Sequence, residues 1–291
     1  MQFQKTFFII FILILEFILS PKSFSKVIHN EYEFIFKGVE YRSSFLNKAK
    51  NIVAHQIRID LKESDATFFV TPPSDLKVKN SLTETTSNFL KKYKLQIAIN
   101  GQGFGPPKPL IRNLTTKICG FALSETIEYG RHCKAQYLFV VHKDKTVDII
   151  NIDHYHEIKT DLHMAIGGWA HKGHSDLLVH EGMVNPYYNN KILNNLKKAR
   201  TAIGISSDKQ FLYLVVTEEI NKGITLLELA QFMQKTGSFH AINLDGGRSS
   251  TMVFQDNTRG EPIIVNALSN NFERPVANHL GLYLSNLDCS K

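Results

Sequence analysis

The sequence predicts an α+β fold, a single domain in which a mixed, largely antiparallel sheet with hairpins is flanked by two main helices. Short apolar runs occur in pairs around polar turns, as is typical of antiparallel hairpins. Two other segments place apolar residues at helical spacing behind a helix-capping pattern. With 43% hydrophobic residues among 291, the chain can bury a full core. No internal repeat or interdomain linker stands out, which favours one domain.

The first 25 residues differ in composition from the rest of the chain. A lysine precedes an apolar run from Phe7 to Leu19, and small residues follow at the spacing that a signal peptidase prefers. We therefore predict a signal peptide over residues 1–25 and a secreted or periplasmic domain over residues 26–291. An uncleaved membrane anchor is the alternative, although the apolar run is short for a bilayer span.

The charge pattern argues against one class of partner. The formal net charge is +7, but the basic residues are scattered in short segments such as Lys91-Lys92 and Lys197-Lys198. Because no long basic run is present, we predict no nucleic-acid partner. A weak association with an anionic cell-surface polymer is compatible with the charge.

The chain has three cysteines. Cys119 and Cys133 are close enough in sequence to form a disulfide across a loop in an oxidising compartment, which would leave Cys289 over. Free thiols are the alternative, and the spacing does not decide between the two.

Three strands and a helix are predicted in the first hundred residues, before a loop rich in glycine and proline. The first two strands are Tyr32–Phe36 and Ile52–Leu61, the second with alternating apolar residues. Ser81 and Glu84 have capping-box spacing ahead of an apolar helical side, so a helix is expected there. A buried strand, Leu95–Ile99, then opens into a loop rich in glycine and proline, a common place for a functional site.

The rest of the chain, from Gln136 onwards, is predicted to contain seven strands and the second main helix. A capping box at Thr225 and Glu228 precedes apolar residues at helical spacing, and Gly237 ends the helix. The strands are predicted at Gln136–His142, Thr146–Ile152, Leu177–Val179, Arg200–Ile205, Phe211–Thr217, His240–Leu244 and Val276–Leu284. The first two of them, and the fourth and fifth, are separated by short polar turns and are expected to form hairpins.

The stretch from His240 to Phe254 concentrates polar chemistry at a sharp turn. An apolar strand stops at Asp245-Gly246-Gly247, and a second apolar run follows Arg248-Ser249-Ser250. Glycine lets a ligand approach the backbone, and the arginine and serines supply donors beside one carboxylate, which suits a phosphate or a sugar. The alternative is a plain hairpin whose Asp-Gly pair makes only the turn.

Several motifs of the second half resemble, in order and approximate spacing, the phosphodiester glycosidase domain family. They are Arg200-Thr201-Ala202-Ile203-Gly204, Gly223-Ile224-Thr225-Leu226, Asn243-Leu244-Asp245-Gly246-Gly247 with Ser249-Ser250-Thr251-Met252, and Glu273-Arg274-Pro275-Val276-Ala277-Asn278. Upstream, Ala98-Ile99-Asn100-Gly101 and Gly167-Gly168 look like earlier motifs of that family. The resemblance implies hydrolysis of a sugar joined through its anomeric carbon to a phosphodiester. Bacterial members are associated with exopolysaccharide or the cell surface.

Two departures from the family pattern leave the substrate open. Arg248 and Gln102 both stand where the family usually has a glycine. Arg248 either adds a cation for phosphate or narrows the space beside the turn.

The implied chemistry assigns roles to particular residues. Asp245 is the candidate nucleophile or base, and Glu273 is the candidate second carboxylate. Arg200 and Arg274 are candidates for bidentate phosphate contact, with a surface salt bridge as the alternative for each. Asp245 has an alternative role too, as a turn residue that caps its own backbone. The other substrate-binding candidates are Asn100, Gly101, Thr201, Gly246, Gly247, Arg248, Ser249 and Ser250.

A histidine-rich segment is a candidate metal site. His171, His174 and Asp176 lie close together in sequence, with His163 and His180 nearby. Metal ligation needs a fixed geometry that such a loop does not guarantee. We therefore predict no metal and no cofactor, and interpret these histidines as solvated or substrate-lining.

These observations lead to one main hypothesis, an exported hydrolase that cleaves a sugar-1-phosphodiester. The competing hypothesis is a non-catalytic periplasmic or surface protein that binds polysaccharide through the same loops, as Arg248 would favour. A third is an enzyme that processes peptidoglycan or teichoic acid.

Overall fold

The computed structural model describes residues 28–47, 51–77, 79–105, 113–130, 135–170, 175–189, 196–218, 223–256 and 259–286. In chain order the strands are β1 (Glu33–Phe36), β2 (Val39–Asn47), β3 (Ile52–Asp60), β4 (Thr67–Val70), β5 (Ser81–Leu82), β6 (Ile97–Asn100), β7 (Phe104–Gly105), β8 (Thr115–Ile118), β9 (Phe121–Ser124), β10 (Ile127–Gly130) and β11 (Tyr137–His142). They continue with β12 (Val147–Asn151), β13 (Leu162–Gly167), β14 (Leu177–His180), β15 (Met183–Val184), β16 (Thr201–Ile205), β17 (Phe211–Thr217), β18 (His240–Asn243), β19 (Met252–Gln255), β20 (Pro262–Ile264) and β21 (His279–Tyr283). The α-helices are α1 (Thr86–Tyr93), α2 (Tyr155–Ile158) and α3 (Leu226–Lys235).

Two predictions from the sequence concern residues outside these described ranges. The predicted signal segment, residues 1–25, lies outside the described ranges, and so does Cys133, the predicted partner of Cys119. Both therefore stay predictions. Among the helices of the described ranges, none has the length and apolar character that a membrane crossing requires.

The architecture is an α+β arrangement of antiparallel sheets. In the described ranges the strands form four sheets, of order β1-β2-β3-β17-β16-β18-β14-β15, β10-β9-β13-β11-β12, β20-β19-β6-β21-β4 and β5-β8-β7. Their ladders are antiparallel, and the predicted hairpins β11–β12 and β16–β17 are confirmed. The expected mixed sheet is therefore replaced by several antiparallel sheets, since many strands are apolar on both faces and need cover on each.

A shared core lies between the three larger sheets. Ile203 of β16 points into this core, whereas the preceding Ala202 packs on the opposite face beneath α3. The same period of two places Ile99 of β6 in the shared core and Ala98 against the α1 side. A smaller cluster that includes Tyr155 of α2 covers the outer face of the β9, β11 and β13 sheet. Each of the three larger sheets thus has one face in the shared core and its other face covered by a helix.

The helix predictions are correct in kind and differ in their boundaries. At α3, Thr225 Oγ1 accepts from Glu228 N at 3.1 Å and Glu228 Oε2 accepts from Thr225 N at 2.7 Å, so the predicted capping box is confirmed. The predicted capping box at Ser81 and Glu84 is wrong. Glu84 is held in an extended bridge with Val276, so α1 begins later, with Thr85 as its N-cap.

The turn after β18 does not close a hairpin. β18 belongs to the eight-stranded sheet, whereas β19 pairs with β6 in another sheet. The plain hairpin considered from the sequence is therefore wrong. The segment Asp245–Ser250 instead carries the chain from one sheet to the next.

The Asn100 carboxamide joins these two sheets. Asn100 ends β6 and is fully buried. Its Nδ2 donates to Asp245 O at 2.9 Å and to Gly101 O at 3.2 Å, while Oδ1 accepts from Thr201 Oγ1 at 2.8 Å and from Thr251 N at 3.1 Å. A carboxamide has two donor hydrogens and two acceptor lone pairs, so these four bonds use all of them. The end of β6 is thereby locked to the turn and to β16.

A buried histidine lies next to this junction. His279 of β21 pairs with Asn100 across the sheet, and its ring stacks on Phe89 of α1 with centroids 4.5 Å apart. Burial lowers the pKa of His279 to about 3 because the charged ring would lose its hydration. The imidazole is therefore neutral in the folded protein across the physiological range.

Asn100→Asp is predicted to destabilise the fold by about 3 kcal/mol or more, because a carboxylate cannot donate to the two carbonyl oxygens and would be buried unpaired. Urea denaturation measures the change. Asn113→Asp, at an exposed residue with a φ of 58°, is the matched control and is expected to stay within about 0.5 kcal/mol of the native protein. Equal small effects of the two substitutions would contradict the structural role of Asn100.

His279 is predicted to make the folded protein acid-sensitive. Its pKa is lower in the folded than in the unfolded chain, so the unfolded chain binds the extra proton as the pH falls from 6.5 towards 3. The free energy of unfolding should drop by up to about 1.4 kcal/mol per pH unit across that window. His279→Gln should flatten this slope, whereas His156→Gln at an exposed position should leave it unchanged. Parallel slopes for His279→Gln and the native protein would refute the assignment.

Candidate active site

The Asp245–Ser250 turn is shaped by two glycines with different tasks. Gly247 has a φ of +64°, a conformation that side chains rarely adopt. Gly246 has an ordinary φ, but a methyl group there would lie 2.7 Å from Ala199 O. Ala199 O also accepts from Gly247 N at 2.7 Å. Gly246 is therefore required by packing against residues 199–200, in addition to any approach by a ligand.

Asp245 is a half-buried residue at this turn. Its Oδ1 accepts from Gly246 N at 2.9 Å, so the predicted self-capping contact is present. The Ser249 side chain also lies beside this carboxylate and lowers its pKa. Desolvation by the surrounding atoms raises the pKa of Asp245, and the Ser249 contact, Arg274, the Gly246 amide and Lys198 oppose that rise. One carboxylate thus faces both fixed donors and nearby cations.

Arg274 is coupled to the same carboxylate through Ser249. Its Nη1 donates to Ser249 Oγ at 3.0 Å, and its guanidinium carbon lies 4.8 Å from the centre of the Phe104 ring. Contact with an aromatic face restricts the guanidinium by cation–π attraction. Since Ser249 accepts from Arg274 and lies beside Asp245, the three side chains form one polar cluster.

Arg200 is placed differently from Arg274. It is 4% exposed, with Nε donating to Ile224 O at 3.2 Å and Nη2 donating to Leu196 O at 2.6 Å. Burial lowers the pKa of Arg200 to about 10, which keeps it charged near neutrality, and Asp245 is among the groups that oppose this lowering. Its guanidinium therefore holds two backbone segments beneath the turn, so a bidentate phosphate contact would compete with these carbonyls.

Glu273 lies at the start of α1. Its Oε1 accepts from Ser87 N at 2.8 Å, at a helix end where unpaired amides favour an anion. This contact anchors the segment that carries Arg274. One oxygen of the candidate second carboxylate thus serves the helix, and a catalytic role for Glu273 stays a prediction.

Other candidates from the sequence line the inside of the junction. Thr201 is fully buried and Ser250 is 3% exposed, with 3.2 Å between their hydroxyl oxygens. A methyl group on Gly101 would overlap Asn278 Oδ1, and Asn100 has all its hydrogen-bonding positions filled. These residues hold the turn in place, which argues against the direct contacts with sugar that we expected from Asn100.

The two departures from the family pattern differ in their surroundings. Gln102 is 1% exposed and its Nε2 donates to Phe121 O at 3.0 Å, so its side chain is turned into the fold. Arg248 is exposed within the short 3-10 helix Gly247–Ser249. Its φ is not positive, so the backbone at this position does not require glycine. Arg248 therefore adds a cation at the solvent side of the turn.

A buried polar network supports the far side of the turn and was not indicated by the sequence. Asn266 Nδ2 donates to Ser250 O at 3.0 Å, and Asn266 Oδ1 accepts from Met252 N at 2.8 Å. The next residue, Ala267, donates its N–H to Glu218 Oε1 at 3.0 Å. Glu218 also lies 3.0 Å from His55 Nε2. These residues are far apart in sequence, and none belongs to a motif that would have drawn attention.

The metal hypothesis finds no support in the described ranges. His171 and His174 lie outside them, and no group of three His, Cys, Asp or Glu side chains within them is placed to hold an ion. Asp176 Oδ2 accepts from the backbone amides of Gln136 at 2.7 Å and Tyr137 at 3.2 Å. Its burial raises the pKa of this carboxyl. Asp176 is thus held by backbone amides at the start of β11.

Comparison with known proteins identifies relatives of this fold. A 69-residue stretch is 39% identical to N-acetylglucosamine-1-phosphodiester α-N-acetylglucosaminidase of Bos taurus, covering 23% of this chain and 13% of that protein. The catalytic domain of the zebrafish enzyme of the same name, auto-inhibited by its pro-peptide, superposes with a TM-score of 0.61 over 91% of both chains at 18% identity. A hypothetical protein from Synechocystis matches with a TM-score of 0.56 and 12% identity over 85% of this chain and 62% of its own.

The two structural matches support a shared fold. The alignment with the bovine relative spans a small part of that protein's length. The family profile described as phosphodiester glycosidase matches residues 93–283, a range that contains both Asn100 and the Asp245 turn. The chain therefore belongs to the phosphodiester glycosidase family.

Proposed function

We propose that this chain is an exported hydrolase that cleaves the glycosidic bond of a sugar-1-phosphodiester. The observation that carries the proposal is the polar cluster at the junction of two sheets, in which Arg274 bonds to Ser249 and both lower the pKa of Asp245. Family membership supports the reaction class. The names of the bovine and zebrafish relatives make N-acetylglucosamine the first sugar to test.

Asp245 acts as the carboxylate at the anomeric carbon. Cleavage of a glycosidic bond passes through an oxocarbenium-like state, which a nearby carboxylate stabilises as nucleophile or base. The Gly246 N–H bonds to the carboxylate and orients it, as transition-state stabilisation requires, and Ser249 lies beside it. Partial exposure of Asp245 leaves room for a substrate to reach it.

Arg274 neutralises the phosphate that leaves. The bond between the anomeric carbon and the phosphate oxygen breaks, and its electron pair stays on that oxygen. Water supplies the hydroxyl group that the sugar gains, and its other proton passes to the carboxylate and then to solvent. Because phosphate already carries its charge, a guanidinium can replace much of the general-acid help that ordinary glycosides need.

The remaining candidate residues hold the Asp245–Ser250 turn in position or add charge to it. Asn100, Thr201 and Ser250 fix the backbone of the turn, and Arg200 fixes the strand segment beneath it. Gly246 and Gly247 permit the turn itself. Arg248 is the exposed cation that contacts the outer part of an anionic substrate. The proposed reaction uses no cofactor.

A second candidate function is a non-catalytic surface or periplasmic protein that binds an anionic polysaccharide. The observation in its favour is Arg248, which has no hydrogen-bond or ion-pair partner in the part of the chain that the structure describes and is exposed at the turn. Equilibrium binding of sugar-1-phosphodiesters without release of sugar would favour this function over hydrolysis.

Asp245→Asn is predicted to lower kcat by at least about 1000-fold, since the neutral amide cannot stabilise positive charge at the anomeric carbon. Release of sugar from N-acetylglucosamine-1-phosphodiesters is the measurement. The substituted side chain can still accept from Gly246 N–H, so the thermal midpoint should change little. Asp161→Asn, an exposed residue with 67% side-chain exposure, is the control and should keep full activity. More than a tenth of native activity in Asp245→Asn would exclude the carboxylate as the catalytic group.

The rate is predicted to rise with pH as Asp245 loses its proton, with a midpoint above 3.8, the ordinary value for this group. Arg274→Met should move that midpoint upwards, because Arg274 favours the ionised carboxylate and lowers the pKa of Asp245. The pH dependence of kcat/KM for the native protein and the variant measures the shift. Arg259→Met, at an exposed position, should leave the midpoint unchanged, and an unmoved midpoint in Arg274→Met would disprove the coupling.

A further inference from the structure

Lys198 lies beside the Asp245–Ser250 turn, and its backbone is fixed. Lys198 N donates to Ile224 O at 3.1 Å, and Ile224 N donates to Lys198 O at 3.0 Å. A methyl group added to Gly223 would overlap the Lys198 carbonyl, so the two segments are in close contact. The backbone from which the Lys198 side chain extends is therefore fixed in position.

The aliphatic stem of Lys198 packs along the two glycines of the turn. A methyl group on Gly247 would lie 3.5 Å from Lys198 Cδ, and one on Gly246 would lie 3.7 Å from Lys198 Cε. These are ordinary van der Waals distances, and lysine commonly lays its stem on a surface while its ammonium stays near solvent. The ammonium, one bond beyond Cε, is thus held at the edge of the turn.

The positive charge of Lys198 interacts with the Asp245 carboxylate. Lys198 and Arg274 both lower the pKa of Asp245 against the effect of burial. Lys198 Cε packs against Gly246, the residue that follows Asp245, so its charge is near this carboxylate. Arg200 is also coupled to Asp245, but its Nε and Nη2 are bonded to backbone carbonyls.

We propose that Lys198 is a phosphate-binding residue that holds the phosphate of the substrate together with Arg274, beside the Asp245 carboxylate. The inference rests on the proposed function and deepens it. The second phosphate contact, which the sequence assigned to Arg200, belongs to Lys198. The ammonium acts as a compact charge that accepts several phosphate orientations, whereas the guanidinium fork of Arg274 fixes one.

The test compares two adjacent lysines. Lys198→Met keeps the aliphatic stem and removes the charge, Lys198→Gln is a second neutral variant, and Lys198→Arg keeps the charge. Lys197→Met is the matched control, because the Lys197 ammonium lies 3.9 Å from the surface carboxylate of Glu228. Calorimetry with a non-hydrolysable phosphonate analogue of a sugar-1-phosphodiester measures binding, and steady-state assays measure KM and kcat.

Both neutral variants should bind the analogue roughly 10- to 100-fold more weakly and show a matching rise in KM, since each loses a charge-assisted contact. The effect on kcat should be smaller. Lys198→Arg should recover most of the affinity, and Lys197→Met should change it less than about 2-fold.

Native affinity in a folded Lys198→Met or Lys198→Gln variant would overturn the proposal. So would a native protein that does not bind the analogue. If the native protein binds the analogue but releases no sugar, the proposed hydrolase activity fails, and the calorimetric comparison of the lysine variants still decides the role of Lys198.

Discussion

The carboxamide of Asn100 is the constraint on which the site depends. Its four hydrogen bonds tie the end of β6 to the start of β16 and to the backbone on both sides of the Asp245 turn. A buried carboxamide with every partner present is stable, whereas one with a missing partner is costly. The position of Asp245 is therefore set by the packing of two sheets, and the loop conformation follows from that packing.

Three arginines around the Asp245 turn differ in how deeply they are buried. Arg200 is buried beneath the turn, Arg274 contacts Phe104 and Ser249, and Arg248 faces solvent. Burial alone would favour the protonated form of Asp245, and the cations and donors around it favour the carboxylate. This balance leaves a single carboxylate whose protonation responds to its neighbours, which suits a group that must stabilise positive charge during catalysis.

Much of the fold and part of the site follow from local sequence. The two hairpins and the capping box of α3 were predictable because each depends on residues close together in the chain. The role of Asn100 was not predictable, since its partners Thr201, Asp245 and Thr251 come from distant segments. Likewise, the start of α1 depends on the pairing of Glu84 with Val276, which a local pattern cannot show.

The roles of the two candidate arginines could not be told apart from the sequence either. Residue type and motif order marked Arg200 and Arg274 equally, but only Arg274 is directed at Ser249 beside the carboxylate. Lys198 drew no attention because a lysine in a basic surface segment has no distinctive pattern. Its proximity to the turn arises from the bridge with Ile224, 26 residues away in sequence.

The most direct test of glycosidic cleavage is hydrolysis of a sugar-1-phosphodiester in water enriched in ¹⁸O, followed by mass analysis of both products. Attack at the anomeric carbon beside Asp245 predicts that the label enters the sugar hydroxyl and that the phosphate product carries none. Label in the phosphate would show cleavage of a phosphorus–oxygen bond and would contradict the account, as would the absence of hydrolysis.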